Sequence, residues 1–315
     1  MTLHDALRFT FVACVISCGP LYAQSHPLSG AASTAAAEPI RLRNHEPTFI
    51  GWTRDSDDVK EGFLDVTLSM QYPLFADRLS GGNNRLHLLP YFAGTVRFSQ
   101  YIGSRDSSPV VLKRFNPKLF VRYGFSPYPP DGDSPDAYID LEYAHESNGQ
   151  SVVDSSSFQA TSQAVGGDDY ARDYISRGWD YWGLTAKHTF DGGTRLYVSR
   201  RWYCGCWLQK NIEEFYPFEG QRDIRSIEQV SGWRAIVKLA RNDLVDNAYL
   251  ILDTGTKDTF KYSTGRIEIG FKPVSDFLGV PLIFWAQTGY LSDLAQYYRK
   301  VDSIGVAFLL KTFQE

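Results

Sequence analysis

The sequence predicts an all-β chain: a 12-stranded antiparallel transmembrane β-barrel of the up-and-down, outer-membrane type. Three observations predict it. The chain opens on an export signal, its body is a series of roughly ten-residue segments alternating apolar with polar, and aromatic residues concentrate at the ends of those segments.

Met1 to Arg8 is a short polar lead and Phe9 to Ile16 a compact apolar stretch, too short to span a bilayer as a helix. Two processing sites are legible: Leu21-Tyr22-Ala23 before Gln24 suits a conventional signal peptidase, and Val15-Ile16-Ser17-Cys18 resembles a lipoprotein site. With cleavage after Ala23, residues 1–23 form a signal peptide, 24–46 an N-terminal arm and 47–315 the barrel domain. The stretch from Gln24 to Pro47 is rich in Ala, Ser, Pro and Glu without periodicity, which predicts a mobile or loosely packed segment.

Of the 315 residues 43% are hydrophobic and only 22% charged, which excludes a disordered chain. A net charge of −4 lacks the basic excess that nucleic-acid binding needs. No stretch beyond the signal reaches the roughly 18 apolar residues of a membrane helix. The alternating segments are Leu64 to Phe75, Leu86 to Phe98, Lys118 to Phe125, Ala137 to His145, Trp179 to Phe190 and Thr194 to Tyr203. They continue with Gly232 to Ala240, Asn247 to Asp253, Gly265 to Phe271, Leu282 to Tyr290 and Ser303 to Phe313, and Pro47 to Thr53 makes a twelfth. Closing such strands into a barrel satisfies every backbone group without water. In the last segment Ile304, Val306, Phe308 and Leu310 share one face, Ser303, Gly305, Ala307 and Lys311 the other, and Phe313 supplies a terminal aromatic. A soluble sandwich or lipocalin-like barrel fits the alternation too, but not the low charge and the aromatic girdle.

Chemistry concentrates in Tyr138 to Gly149. Strand side chains alternate, so Ile139, Leu141, Tyr143, His145 and Ser147 share the lipid face, and Asp140, Glu142 and Glu146 the lumen face. A His and a Ser at i and i+2 can hydrogen-bond, the minimal activated nucleophile. Asp180 is in phase with apolar Trp182, Leu184, Ala186 and Phe190 on the next segment, where an unpaired carboxylate is costly, so it can reach His145. On facing alone, His145, Ser147 and Asp180 fit either a catalytic triad or ordinary rim residues in the headgroup zone.

His145-Glu146-Ser147-Asn148-Gly149, preceded by Leu141-Glu142-Tyr143 and followed by Ser176-Arg177-Gly178-Trp179-Asp180, resembles the active-site signature of outer-membrane phospholipase A. The resemblance extends to Ser107-Ser108-Pro109, Asn116-Pro117-Lys118-Leu119-Phe120, Arg201-Trp202-Tyr203 and the final strand, and covers most of the chain from about Thr48. It implies a calcium-dependent serine hydrolase of the outer membrane, active as a homodimer on membrane phospholipids and lysophospholipids, with phospholipase A1 and A2 activity. Carried over by position, Ser147 resembles the nucleophile, His145 the base, and the Gly149 amide part of the oxyanion hole. Asp180 stands where the best-known members have Asn. The implied Ca2+ ligands are the Gln150 carbonyl, the Ser176 hydroxyl and, from the second subunit, Ser107. A non-enzymatic barrel, either a narrow pore or a structural protein, is the alternative from another class.

The stretch Ser151 to Ile175 is longer than in the best-known members. Ser155, Ser156, Ser157, Asp168, Asp169 and Asp173 in it offer oxygens suited to calcium, though the composition reads first as a solvated, mobile excursion. His87 and His188 read as structural. Cys204-Gly205-Cys206 is a weak metal or redox signal, and in a strand an i, i+2 pair lies about 6.5–7 Å apart, the edge of what a disulfide bridges.

Overall fold

The computed structural model describes residues 42–56, 62–74, 87–103, 105–125, 135–208, 214–220, 222–240, 245–272 and 280–310. The signal peptide, most of the arm and Phe313 lie outside the described residues. All twelve expected strands are present: β1 (Phe49–Asp55), β2 (Gly62–Pro73), β3 (Leu88–Gln100), β4 (Val110–Gly124), β5 (Ala137–Ser147), β6 (Gly178–Thr189), β7 (Arg195–Cys204), β8 (Gly232–Leu239), β9 (Val245–Gly255), β10 (Thr264–Phe271), β11 (Leu282–Gly289) and β12 (Val301–Leu309). Each pairs antiparallel with its neighbours in sequence, and β1 pairs with β12, from Phe49 opposite Leu309 to Asp55 opposite Ser303, to close the barrel.

The alternation read in the sequence sets the two faces. Outward stand Leu68, Met70 and Tyr72 on β2, Leu141 on β5, Trp182 and Leu184 on β6, and Ile304, Val306 and Phe308 on β12, all exposed large apolar side chains. Inward stand charges that neutralise one another: Arg97 with Asp65 at 2.7 Å, Arg122 with Asp140 at 2.7 Å, Lys118 with Glu142 at 3.4 Å, and Glu146 between Arg114 and Arg201. Charges buried in this way persist because they are paired. The end of the N-terminal arm joins this packing instead of remaining loose. Arg43 exchanges backbone hydrogen bonds with Gln71, and the Glu46 amide donates to the Ser69 hydroxyl.

The connections differ between the two barrel ends. Phe190 to Thr194 joins β6 to β7 in a tight turn, whereas at the opposite end residues 148–177, 205–208, 214–220, 222–231 and 290–300 form a folded cap. The segment expected to be a solvated excursion belongs to that cap. It carries α1 (Ser155–Val165), started by the Asp154 side chain accepting from the Ser157 amide and stopped at Gly166 in the left-handed region. Val152, Phe158, Ala171 and Ile175 of this segment pack with Tyr216 and Ala295 from the two other connections. That buried apolar set is what a composition reading of Asp, Ser and Gly passed over.

Among the described residues, all of its candidate oxygens but that of Ser155 are engaged: the Ser156 and Ser157 hydroxyls donate to Asp154, Asp168 accepts from Ser162, Asp169 pairs with Arg172, and Asp173 accepts from Arg105 at 2.6 Å and Gln296 at 2.6 Å.

Asp293 in the last cap connection generates a pH prediction. Desolvation, and then the charge of Asp173, push its carboxyl from an ordinary 3.8 up to about 7, and Arg97 only partly offsets this. Its raised folded value means that its contribution is fully present below about pH 4 and is lost as pH rises through 7. Amide exchange in residues 290–300, corrected for intrinsic rate, should therefore show less protection at pH 8 than at pH 5.5. Asp293→Asn should flatten that difference, and an unchanged pH dependence in the variant would count against it.

Candidate active site

The site lies where β5 and β6 meet the cap. His145 and Asp180 are directly opposite each other in the antiparallel register, and the His145 Nδ1–H donates to Asp180 Oδ1 at 2.7 Å. Both face outward by phase, in line with Tyr143 and Trp182, yet Asp180 is 0% exposed. The turn after β7 folds over it, and the Leu208 amide donates to Asp180 Oδ2 at 2.8 Å. The carboxylate on the apolar face thus has a partner on each oxygen, as desolvation demands.

Ser147 follows His145 by two residues on the same face, opposite Gly178 and Phe115, and is half-buried. Among the described residues its hydroxyl makes no hydrogen bond. The expected contact with His145 is thus not formed, because side chains at i and i+2 of an extended strand stand about 7 Å apart at their origins.

Gly149, at φ +60, holds a backbone conformation that a side chain strains, and a Cβ there would meet the Phe115 ring at 3.4 Å. Its N–H meets no acceptor among the described residues and is a free donor beside Ser147.

Two asparagines that sequence reasoning left without a role build this corner. Asn148, 1% exposed, donates from Nδ2 to the Ile175 carbonyl at 2.7 Å and accepts at Oδ1 from the Arg177 amide at 2.9 Å and the Gln150 amide at 3.3 Å. It stitches residues 148–150 to 175–177. Asn116 precedes Pro117, which has no N–H to give to β5, and its Nδ2 donates instead to the His145 carbonyl at 3.1 Å and the Tyr181 hydroxyl at 3.1 Å. An Asn-Pro pair inside a strand was the available signal. Arg177, wholly buried, ion-pairs with Glu219 and so ties the corner to the cap.

The three residues expected to bind metal divide. Gln150 and Ser176 lie on the two stitched segments, where the Ser176 amide donates to the Val152 carbonyl at 2.9 Å and Val152 bridges Ile175. Among the described residues the Gln150 carbonyl and the Ser176 hydroxyl accept no hydrogen bond. Ser107 sits apart on the β3–β4 connection, exposed, at φ +63. Among the described residues no three His, Cys, Asp or Glu side chains gather as a metal cluster. Calcium takes neutral carbonyl and hydroxyl oxygens, so the pair fits part of a coordination shell that needs further donors.

Fold and corner together define the class: a closed barrel of the outer-membrane type with a histidine–aspartate pair and an in-phase serine on its apolar face. The chain has the fold of outer-membrane phospholipase A. It resembles the outer membrane phospholipase A of Escherichia coli at 17% sequence identity and TM-score 0.59, over 87% of this chain and 94% of that one. An active-site mutant of the same protein matches at 16% identity and TM-score 0.59. The Salmonella typhi outer membrane phospholipase, a dimer with bound calcium, matches at 16% identity and TM-score 0.59, over 88% of this chain and 95% of that one. No family model matches the chain, and no curated protein sequence does.

Asn148→Ala should deprive the buried Ile175 carbonyl and Arg177 amide of the Asn148 side chain, costing about 2–4 kcal/mol. Amide exchange at residues 175–178 should accelerate at least about tenfold while β8 to β11 keep their protection. Unchanged exchange there would mean that Asn148 does not hold the corner.

Proposed function

We propose that the protein is a calcium-dependent serine hydrolase of the bacterial outer membrane that cleaves acyl esters of glycerophospholipids and lysophospholipids, with phospholipase A1 and A2 activity. One observation carries the reading: a buried Asp180 holding the Nδ1 of His145 on the apolar face, with Ser147 in phase beside it. An imidazole held by a carboxylate on the lipid side has no purpose in a pore or a structural barrel. A lumen filled by paired charges also speaks against conduction.

In this reading the Ser147 hydroxyl attacks the ester carbonyl and His145 takes its proton at Nε2. Asp180 fixes the tautomer and stabilises the imidazolium, and the Gly149 N–H donates to the developing oxyanion. His145 then returns the proton to the leaving alcohol, and water releases the fatty acid from Ser147. Calcium, when bound, supplies positive charge beside the carbonyl oxygen. The Gln150 carbonyl and Ser176 hydroxyl would hold it together with Ser107 of a second copy, whose exposure on an outer connection suits an intermolecular role and makes the homodimer the active form. Residues 1–23 direct export, 24–46 form the arm, and the barrel from 47 onward lies in the outer membrane with the cap outside.

Refolded protein in phospholipid mixed micelles should release fatty acid with calcium and not with EDTA, and Ser147→Ala should lose at least about a thousandfold of kcat. No release by folded dimer with calcium present would overturn the reading. Asp180→Asn, which keeps an acceptor for the imidazole, should retain about tenfold more activity than Asp180→Ala. Equal loss in both would remove Asp180 from the mechanism.

A further inference from the structure

The proposed reaction leaves unused the crosslink that stands against its acid. Cys204, the last residue of β7, lies opposite Asp180 in the register, and it is disulfide-bonded to Cys206. In a continuing strand two such residues lie about 7 Å apart. Here the chain leaves the sheet at Cys204 and the Cα atoms close to 5.3 Å. Gly205 sits inside the small ring, where a Cβ would meet nothing within 4 Å.

The ring sets the direction of the next two residues, and these reach the site. Trp207 is held at φ +34, a region that a bulky side chain leaves unless it is constrained, and its ring centroid lies 4.9 Å from that of Tyr143. Leu208 then presents its amide to Asp180 Oδ2 at 2.8 Å. The turn is only partly buried, with Trp207 46% and Leu208 57% exposed. Yet the turn covers a carboxylate that has no exposure of its own.

We infer that the Cys204–Cys206 disulfide is a positioning element of the site: it keeps the Leu208 amide on Asp180 and, through Asp180, orients His145. The inference rests on the reading of Asp180 and His145 as triad members. With the crosslink open, residues 205–208 regain the freedom of a Gly-containing exposed loop, Asp180 loses the Leu208 amide, and the carboxylate, with that charge-oriented donor gone, holds the imidazole less firmly in one orientation.

The test opens the crosslink in the folded, calcium-loaded dimer with a dithiol. One of its thiolates attacks a cystine sulfur, the S–S bond breaks, and its second thiol closes on the mixed disulfide. Two protein thiols and an oxidised cyclic reagent result. Amide exchange at Leu208 should accelerate at least about tenfold while the β5 and β6 amides keep their protection. In the same samples kcat should fall about tenfold with KM changed less than about twofold, and Cys204→Ser/Cys206→Ser should reproduce both effects without reductant. In an Asp180→Ala background, reduction should change kcat by less than about twofold, because the crosslink acts through the missing carboxylate.

Leu208 protection that survives reduction would overturn the inference. So would an equal loss of kcat in both backgrounds, and so would loss of strand protection, which would make the crosslink a staple of the fold. If the oxidised wild-type protein hydrolyses no ester, the functional reading falls, and exchange at Leu208 still decides whether the disulfide positions the turn.

Discussion

A closed barrel with an apolar exterior offers no water to a polar side chain on its outer face. That constraint governs the rest of this structure. Period-two alternation assigns each side chain to one face or the other, so a charged residue buried in the apolar phase needs a protein partner. Along β5 and β6 the outward phase runs through Leu141, Tyr143, Trp182 and Leu184; His188 stands in it at the far rim beside Phe190, and His145, Ser147 and Asp180 gather at the other. Two of the three are joined by a 2.7 Å hydrogen bond, and the remaining carboxylate oxygen is served by a backbone amide.

The inward phase meets the opposite demand. Charges that fill the lumen are satisfied by pairing across strands, and one of these pairs, Glu146 with Arg114 and Arg201, sits on the chain between His145 and Ser147. The strand that carries the site is therefore anchored from inside by an ion-pair network and from its neighbour by Asn116. Above it the cap packs Trp179, Ile224, Ile227, Val230, Leu294 and Tyr297 into an apolar cluster. The corner at Asn148 lies where the wall passes into that cap, so both the phase of Ser147 and the free amide of Gly149 are set by elements paired and packed on either side.

Fold and candidate site were legible to different depths. Every strand was readable because alternation over about ten residues is a strong local signal; strand ends shifted in both directions, and furthest where pairing continued past the apolar run in β4, which begins at Val110. His145, Ser147 and Asp180 were readable because phase converts directly into facing. The segment from Ser151 to Ile175 was misread because its apolar residues are few and contact partners distant in sequence: Phe158 packs with Phe218, and Ile175 belongs to a cluster that includes Ala295. The Leu208 amide was out of reach because a backbone donor has no residue type. The Cys204–Cys206 link was judged by strand geometry, which no longer applies where the strand ends.

The central claim is that Ser147 is an activated nucleophile on the lipid-facing side of the barrel. A fluorophosphonate bearing a long alkyl chain, presented in micelles to the folded protein, tests it directly when the adduct is located by peptide mass. The account predicts a single covalent adduct on Ser147 that disappears in His145→Ala. Labelling at another serine, or labelling of Ser147 that is indifferent to His145, would contradict it.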